Sequence, residues 1–240
     1  MLKNNFVYLL LLTCQIVLAN NLVEKDGIKG NFDLGFSYTQ NIEKTTQFNN
    51  VFLLTYKKGS SNITLGNNIS FISKTGENEL LNKGVQDLKY SYKNKKLGGE
   101  LTLQHLYDIS RSIEKRISIG FGFSYTFTQD EDKKFIIGIS ALKEKETTAF
   151  GKIKIQNRIS GNIDLSIKIN KNIEFFSVNN YQPNIQKFGD FRMKTLIAVR
   201  INLSPHFLLS INNTFNYDSF PELNVPENDY QLINSISYTF

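Results

Sequence analysis

Residues 116–127 read RISIGFGFSYTF and alternate strictly between two kinds of side chain. Large apolar or aromatic residues hold one parity: Ile117, Ile119, Phe121, Phe123, Tyr125 and Phe127. Small or polar residues hold the other: Arg116, Ser118, Gly120, Gly122, Ser124 and Thr126. Because neighbouring side chains of a strand point to opposite faces, the stretch predicts a long strand with one apolar and one wet face.

The same alternation recurs along the chain, as in residues 28–38 and 63–71. In residues 150–169 the apolar parity never breaks, whereas a two-residue hairpin would reverse it, so this stretch is predicted to be one strand. The pattern predicts about 12 strands, with 10 or 14 as alternatives. They lie near residues 28–40, 45–57, 61–74, 83–93, 96–108, 113–128, 133–147, 150–169, 173–182, 190–203, 206–218 and 229–240. Short polar turns alternate with longer connections, expected at 75–82, 183–189 and 219–228.

Composition favours strands but does not identify the class of protein. The 240 residues are 40% hydrophobic with a mean hydropathy of −0.27, values common among soluble proteins. The 19 Phe and 11 Tyr, against four Pro and no Trp, suit pleated and half-buried surfaces. The net charge of +6 is not gathered into a basic run interleaved with aromatic residues, so no nucleic-acid partner is expected.

The N-terminus has the pattern of a secretory signal peptide. Lys3 precedes an apolar stretch that ends at Ala19, where cleavage is predicted. The predicted organisation is a signal peptide at 1–19, a short segment at 20–27 and a β-barrel at 28–240. Cys14, the only cysteine, lies inside the signal; lipidation there is an alternative that the bulky Thr13 disfavours. Without lipidation the mature chain has no thiol.

A single closed, antiparallel transmembrane β-barrel explains these patterns better than a soluble one. A soluble barrel fills its interior with apolar side chains, and about 12 strands would enclose a space too wide to fill. With the apolar faces turned toward outer-membrane lipid, the interior can stay wet. Within hydrocarbon an unpaired strand edge is too costly, so the last strand must return to the first. A monomer is expected.

The last strand ends in Tyr238 and Phe240, preceded by apolar residues of the same parity. This ending resembles the C-terminal signature of bacterial outer-membrane proteins, which implies recognition by the barrel-assembly machinery.

Several loose motifs point to one family. They are Gly120-Phe121-Gly122-Phe123-Ser124-Tyr125, Tyr181-Gln182-Pro183, Asp190-Phe191-Arg192, Tyr217, Pro221, Asn228-Asp229-Tyr230 and Tyr238-Thr239-Phe240. With these, the chain resembles the salt-induced outer-membrane protein family, the YdiY-like or DUF481 group, over roughly residues 30–240. The resemblance implies a bacterial outer-membrane barrel and no established activity.

The polar faces carry the residues most relevant to function. Nine charged side chains are predicted to line the lumen: Asp33, Glu100, Arg116, Lys154, Arg158, Asp164, Arg192, Lys194 and Arg200. They fit a narrow, mildly anion-favouring passive pore. They fit equally a closed structural or stress-related barrel whose lumen is filled by salt bridges.

Enzymatic and adhesive functions receive less support. An outer-membrane phospholipase would use a lipid-facing His and Ser, and His105 does lie on an apolar parity, but Tyr107 stands where the Ser is expected. The other histidine, His206, lies at a short turn, so neither a metal site nor another cofactor is expected. A surface adhesin would need longer outer loops. The sequence therefore predicts no enzyme.

Overall fold

The computed structural model describes residues 26–40, 44–74, 81–130, 132–204, 207–223 and 225–238. They form one antiparallel sheet of 12 strands, each paired with its neighbour in the chain, and a single 3₁₀ turn at Ile109–Arg111. The strands are β1 (Gly27–Gln40), β2 (Lys44–Lys58), β3 (Ser61–Lys74), β4 (Leu81–Asn94), β5 (Leu97–Asp108), β6 (Ile113–Gln129), β7 (Lys133–Thr148), β8 (Ile153–Lys168), β9 (Ile173–Asn184), β10 (Lys187–Asn202), β11 (Phe207–Asp218) and β12 (Asn228–Tyr238). The predicted strand number and the single long β8 are confirmed.

The sheet curls into a half-barrel with a concave and a convex face. Pairing between β1 and β12 does not occur among the described residues, so closure of the barrel stays a prediction. The signal peptide, Cys14, Ala19, His206 and Phe240 lie outside the described residues. Within the described part of the chain, no helix has the length and apolarity needed to cross a membrane.

Burial of side chains is inverted relative to a soluble protein. In β6, Arg116, Ser118 and Thr126 are buried on the concave face, while the six apolar side chains of the other parity are 40–58% exposed. Across the described residues, the buried side chains include many more polar than apolar ones. A soluble domain buries apolar side chains instead, because the removal of apolar surface from water is the main driving force for its folding. The convex face therefore suits an apolar surrounding.

The two ends of the sheet differ. At one end, here called the turn end, β1 begins, β12 ends, and the connections are short; Gly59 (φ 57°) and Lys95 (φ 53°) supply the positive φ values of two tight turns. The opposite, loop end carries the 3₁₀ turn and the 219–227 connection. Asp108 caps the 3₁₀ turn by accepting a hydrogen bond from the Arg111 amide.

One predicted connection is too long. Residues 183–189 were expected to form a loop, but β9 runs to Asn184, β10 starts at Lys187, and an irregularity in register falls between Lys187 and Phe191. The physical reason is the Asp190 carboxylate, which is buried and accepts hydrogen bonds from the Asn184 amide at 3.2 Å and the Arg158 guanidinium at 2.6 Å. These bonds hold the ends of both strands in the sheet.

Gly122 permits the close approach of β6 and β7. A Cβ atom at Gly122 would lie 2.7 Å from the Ser140 Cβ and 3.0 Å from the Ile139 carbonyl oxygen, whereas a Cβ at Gly161 on β8 would meet open space. We expect Gly122→Ala to lower the free energy of unfolding by roughly 1–3 kcal/mol. The Ser140 Cβ and the Ile139 carbonyl oxygen can make room for the added methyl group only if the backbone of β7 shifts. Gly161→Ala, the control, should change that free energy by less than about 0.5 kcal/mol. Urea titration of each folded variant measures both changes in the free energy of unfolding. Equal losses for the two variants would contradict this explanation.

Candidate pore and its charge network

A chamber of about 1040 Å³ occupies the turn end of the concave face. Side chains from β2 to β10 line it, and most of them are polar. Its described charges nearly balance, with seven basic and six acidic side chains. They are Lys89, Lys93, Lys133, Lys134, Lys168, Lys171 and Arg200, and Asp87, Glu100, Asp130, Asp132, Asp164 and Glu174. Charged groups of both signs keep such a space favourable for water.

A second cavity of about 300 Å³ lies at the loop end, and its walls are largely formed by a network of ion pairs. This charge network comprises five basic and five acidic side chains. They are Arg111, Arg116, Lys154, Arg158 and Arg192, and Glu144, Glu146, Asp190, Asp218 and Glu222. Since the charges balance, the network neutralises itself within the fold.

Arg192 on β10 is the centre of the charge network. Its Nη1 lies 2.9 Å from Glu144 Oε2, its Nη2 lies 3.3 Å from Glu146 Oε2, and its Nε lies 3.4 Å from Asp218 Oδ2. Glu144 and Glu146 are on β7, so these contacts reach past β8 and β9. The Arg192 guanidinium therefore crosses the concave space rather than following its wall.

Arg158 on β8 is the most deeply buried charge of the network, with 1% of its surface exposed. Its Nη2 lies 2.6 Å from Asp190 Oδ1 and its Nε 3.4 Å from Glu144 Oε2. The Arg158 Nη1 also donates to the backbone carbonyl of Gln182 at 2.9 Å. A buried charge is tolerated only when it is paired and hydrogen-bonded in this way.

The network also holds the 219–227 connection against the strands. Lys154 on β8 pairs with Glu222, and Arg111 lies 3.8 Å from Asp218 at the end of β11. Ser219 fixes the start of the connection, since its hydroxyl accepts a hydrogen bond from the Phe191 amide at 2.7 Å. The connection thus lies over the loop end of the concave face.

The predicted lumen residues fall into three groups. Arg116, Lys154, Arg158 and Arg192 meet in the charge network, while Glu100, Asp164 and Arg200 line the larger chamber. Glu100 pairs there with Lys89 at 2.5 Å, and Arg200 lies 3.9 Å from Glu174 and 4.9 Å from the Phe176 ring. Lys194 has the concave parity of β10 but lines neither cavity. The backbone of Asp33 on β1 lies opposite Val51 of β2. The side chains of Asp33 and Tyr238 lie outside the part of the chain that the structure describes.

Sequence reasoning missed the five acidic members of the charge network. For Glu144 and Glu146 a signal existed: Ile137 and Ile139 set the convex parity of β7, which places both glutamates on the concave face. Asp190 was expected at the edge of a loop. Asp218 and Glu222 come near the arginines only through the curl of the sheet, which no local pattern encodes.

His105 lies on the convex face of β5, where its Nδ1 is 2.6 Å from the Gln86 Oε1. Its ring is 6.2 Å from that of Tyr107, between centroids. No group of three or more His, Cys, Asp and Glu side chains that could hold a metal ion occurs in the residues described.

Together these features define an all-β chain of 12 antiparallel strands with an apolar outside and a charged inside. The chain belongs to the DUF481 family, described as proteins of unknown function, whose model matches residues 32–240. The family predicted from the sequence motifs is thereby confirmed.

Solved structures of porins resemble this fold. A NanC porin is similar with a TM-score of 0.51 and 11% identity, over 89% of this chain and 98% of that chain. A KdgM porin in complex with disordered oligogalacturonate has a TM-score of 0.48 and 9% identity, over 89% and 99%. At these identities the likeness concerns the fold alone. The search of curated proteins returns no match.

Proposed function

We propose that this protein is a bacterial outer-membrane β-barrel that acts as a narrow passive pore for small solutes, constricted at its loop end by the charge network. The observation that carries the proposal is the largely polar chamber of about 1040 Å³ behind a strongly apolar convex face. A barrel that served only as a scaffold would not need such a space.

The exposed aromatic side chains support an outer-membrane location. Tyr56, Tyr90, Tyr92 and Tyr125 are exposed on the convex face near the turn end. Tyr and Trp concentrate at the boundary between lipid and water, where one end of the side chain is apolar and the other wet. These tyrosines would mark the inner boundary of the membrane, so the turn end would face the periplasm.

The balanced charges limit selectivity. Seven basic against six acidic side chains in the larger chamber give the proposed pore a weak preference for anions. Charge selectivity in pores comes from rings of charged side chains of one sign, whereas the described side chains of the chamber carry both signs. We therefore infer a permeant class defined more by size than by charge.

A closed, structural barrel is the second candidate, and the position of Arg192 favours it. Its guanidinium crosses the concave space and contacts two carboxylates of β7. In this alternative the charge network blocks passage and stiffens the fold.

Conductance in planar bilayers separates the two candidates. We expect small ohmic steps from the native protein and larger steps from the double variant Arg192→Ala with Glu144→Ala. The double variant removes one charge of each sign, and it leaves Glu146 paired with Arg116 and Arg158 paired with Asp190. Folding is checked by heat-modifiable migration on a gel. Silence from folded protein of both forms would rule out the pore and leave the closed barrel.

A further inference from the structure

Four polar side chains interrupt the apolar convex face of β2 to β5. Asn50, Asn67, Gln86 and His105 share the parity of the outward-facing residues on their strands. The neighbouring positions of that parity are largely apolar or aromatic: Phe48, Phe52, Leu65, Ile69, Leu88, Leu103 and Tyr107. The four residues are here called the polar ladder. Apolar residues flank it toward the turn end on all four strands; toward the loop end the next position is apolar or aromatic on β2, β3 and β5 and is Gly84 on β4.

The polar ladder is one continuous line of hydrogen bonds across four strands. The Asn67 Nδ2 donates to Asn50 Oδ1 at 3.0 Å, and the Gln86 Nε2 donates to Asn67 Oδ1 at 3.1 Å. His105 Nδ1 lies 2.6 Å from Gln86 Oε1. An amide oxygen only accepts, so His105 Nδ1 carries the proton and its Nε2 is left as an acceptor. The ladder thus has a direction, with an acceptor at the His105 end and donors at the Asn50 end.

These two ends need partners if the convex face meets lipid, as the proposed function requires. Hydrocarbon offers no hydrogen bonds, and an unsatisfied polar group there costs several kcal/mol. The Asn50 Nδ2 and the His105 Nε2 make no hydrogen bond among the described residues. Both side chains are only half-buried, so a second molecule can reach them.

We propose that the polar ladder is the contact surface of a twofold homodimer in the membrane. A twofold axis brings the same patch of each copy together in opposite directions, so the acceptor end of one ladder meets the donor end of the other. The His105 Nε2 of each copy would accept from Asn50 of the partner subunit. Leu65 and Leu88, exposed by 44% and 48% beside the centre of the ladder, would pack across the axis. This inference departs from the monomer that the sequence suggested.

A second polar cluster lies on β9 and β10 but lacks this complementarity. Thr195 donates to Asn179 Oδ1 at 3.0 Å, and the Asn179 Nδ2 donates to the Ser177 hydroxyl at 3.0 Å. Its two ends are hydroxyl groups, each of which both donates and accepts. It has no direction to match and serves as the comparison surface.

Cysteine cross-linking in isolated outer membranes tests the dimer. Leu88→Cys, near the proposed axis, should form a covalent dimer on mild oxidation, with a yield about ten times that of Ile139→Cys, because a held pair has a high effective concentration. Ile139 is on the convex face of β7 and is 58% exposed, which makes it a matched control. The native chain treated in parallel accounts for Cys14.

A second arm removes the two ends of the polar ladder. With Asn50→Leu and His105→Leu added to Leu88→Cys, we expect cross-linking to fall about tenfold, because the two His105–Asn50 hydrogen bonds between the subunits are lost in a membrane. The heat-modifiable shift should remain, since both positions become apolar in an apolar face.

Four results would overturn the dimer. Two come from the arms above: equal yields from Leu88→Cys and Ile139→Cys, or cross-linking that the two leucine substitutions leave unchanged. The others are cross-links between Leu88→Cys and Ile197→Cys in mixed copies, and lipid-bearing monomers detected by native mass spectrometry. Ile197 adjoins the second polar cluster, so that cross-link would indicate a head-to-tail ring. Monomers embedded in membranes would overturn only the dimer, whereas soluble release from the periplasm would overturn the proposed location.

Discussion

Replacing Arg158 with Ala is expected to lower the free energy of unfolding by about 3–5 kcal/mol, the usual cost of removing one partner from a buried ion pair. The side chain is 1% exposed and pairs with Asp190 at 2.6 Å and with Glu144 at 3.4 Å. Its removal leaves Asp190 buried without its cation and takes a donor from the Gln182 carbonyl. The two bonds from Arg158 to the loop ends of β9 and β10 are lost together.

Arg111→Ala is the matched control for this experiment. Arg111 belongs to the same network, but it is 20% exposed in its side chain and its carboxylate partner lies 3.8 Å away. Partly exposed pairs contribute little, so the loss should stay within about 1 kcal/mol. Urea titration of both variants in detergent, followed by the heat-modifiable shift, gives the comparison. A loss for Arg158→Ala no larger than that for Arg111→Ala would mean that the network does not stabilise the fold.

On the proposed outer-membrane location, Phe121→Arg should impair insertion into lipid, with a loss of roughly 2–4 kcal/mol for a cation near the middle of the bilayer. Phe121 lies in the centre of the apolar parity of β6 and packs edge to face on Phe123, with ring centroids 4.7 Å apart. We expect less folded protein in vesicles and a lower urea midpoint.

Gln104→Arg provides the control for Phe121→Arg on the opposite face. Gln104 is on β5 with its side chain turned inward, where it donates to Asp87 at 2.7 Å. An arginine there can pair with the same carboxylate, so folding should be almost unchanged. If both arginines impaired folding equally, the assignment of the two faces would be wrong.

Strand number and facing were predictable because they depend on local chemistry. The unbroken parity of residues 117–127 defines one face of β6 without any knowledge of its neighbours. The same logic reached Arg116 and Arg158, whose parity is that of the inside. It would also have reached Glu144 and Glu146, whose parity on β7 is that of the inside, but these two residues were not singled out.

The register between strands was not predictable in the same way. Pairing of Gln86 with His105 and with Asn67 depends on how β4 aligns with both of its neighbours. A turn of different length would separate these side chains, and the polar ladder would not exist. No sequence pattern marked them as a group, since each is a lone polar residue among apolar ones.

By itself the sequence determined an all-β chain of about 12 strands, with one apolar and one polar face, because side-chain direction alternates along every strand. The tertiary structure decided which charges meet. Arg192 contacts carboxylates 46 and 48 residues away because the curl of the sheet brings β10 opposite β7, and only that curvature sets the distance across the interior.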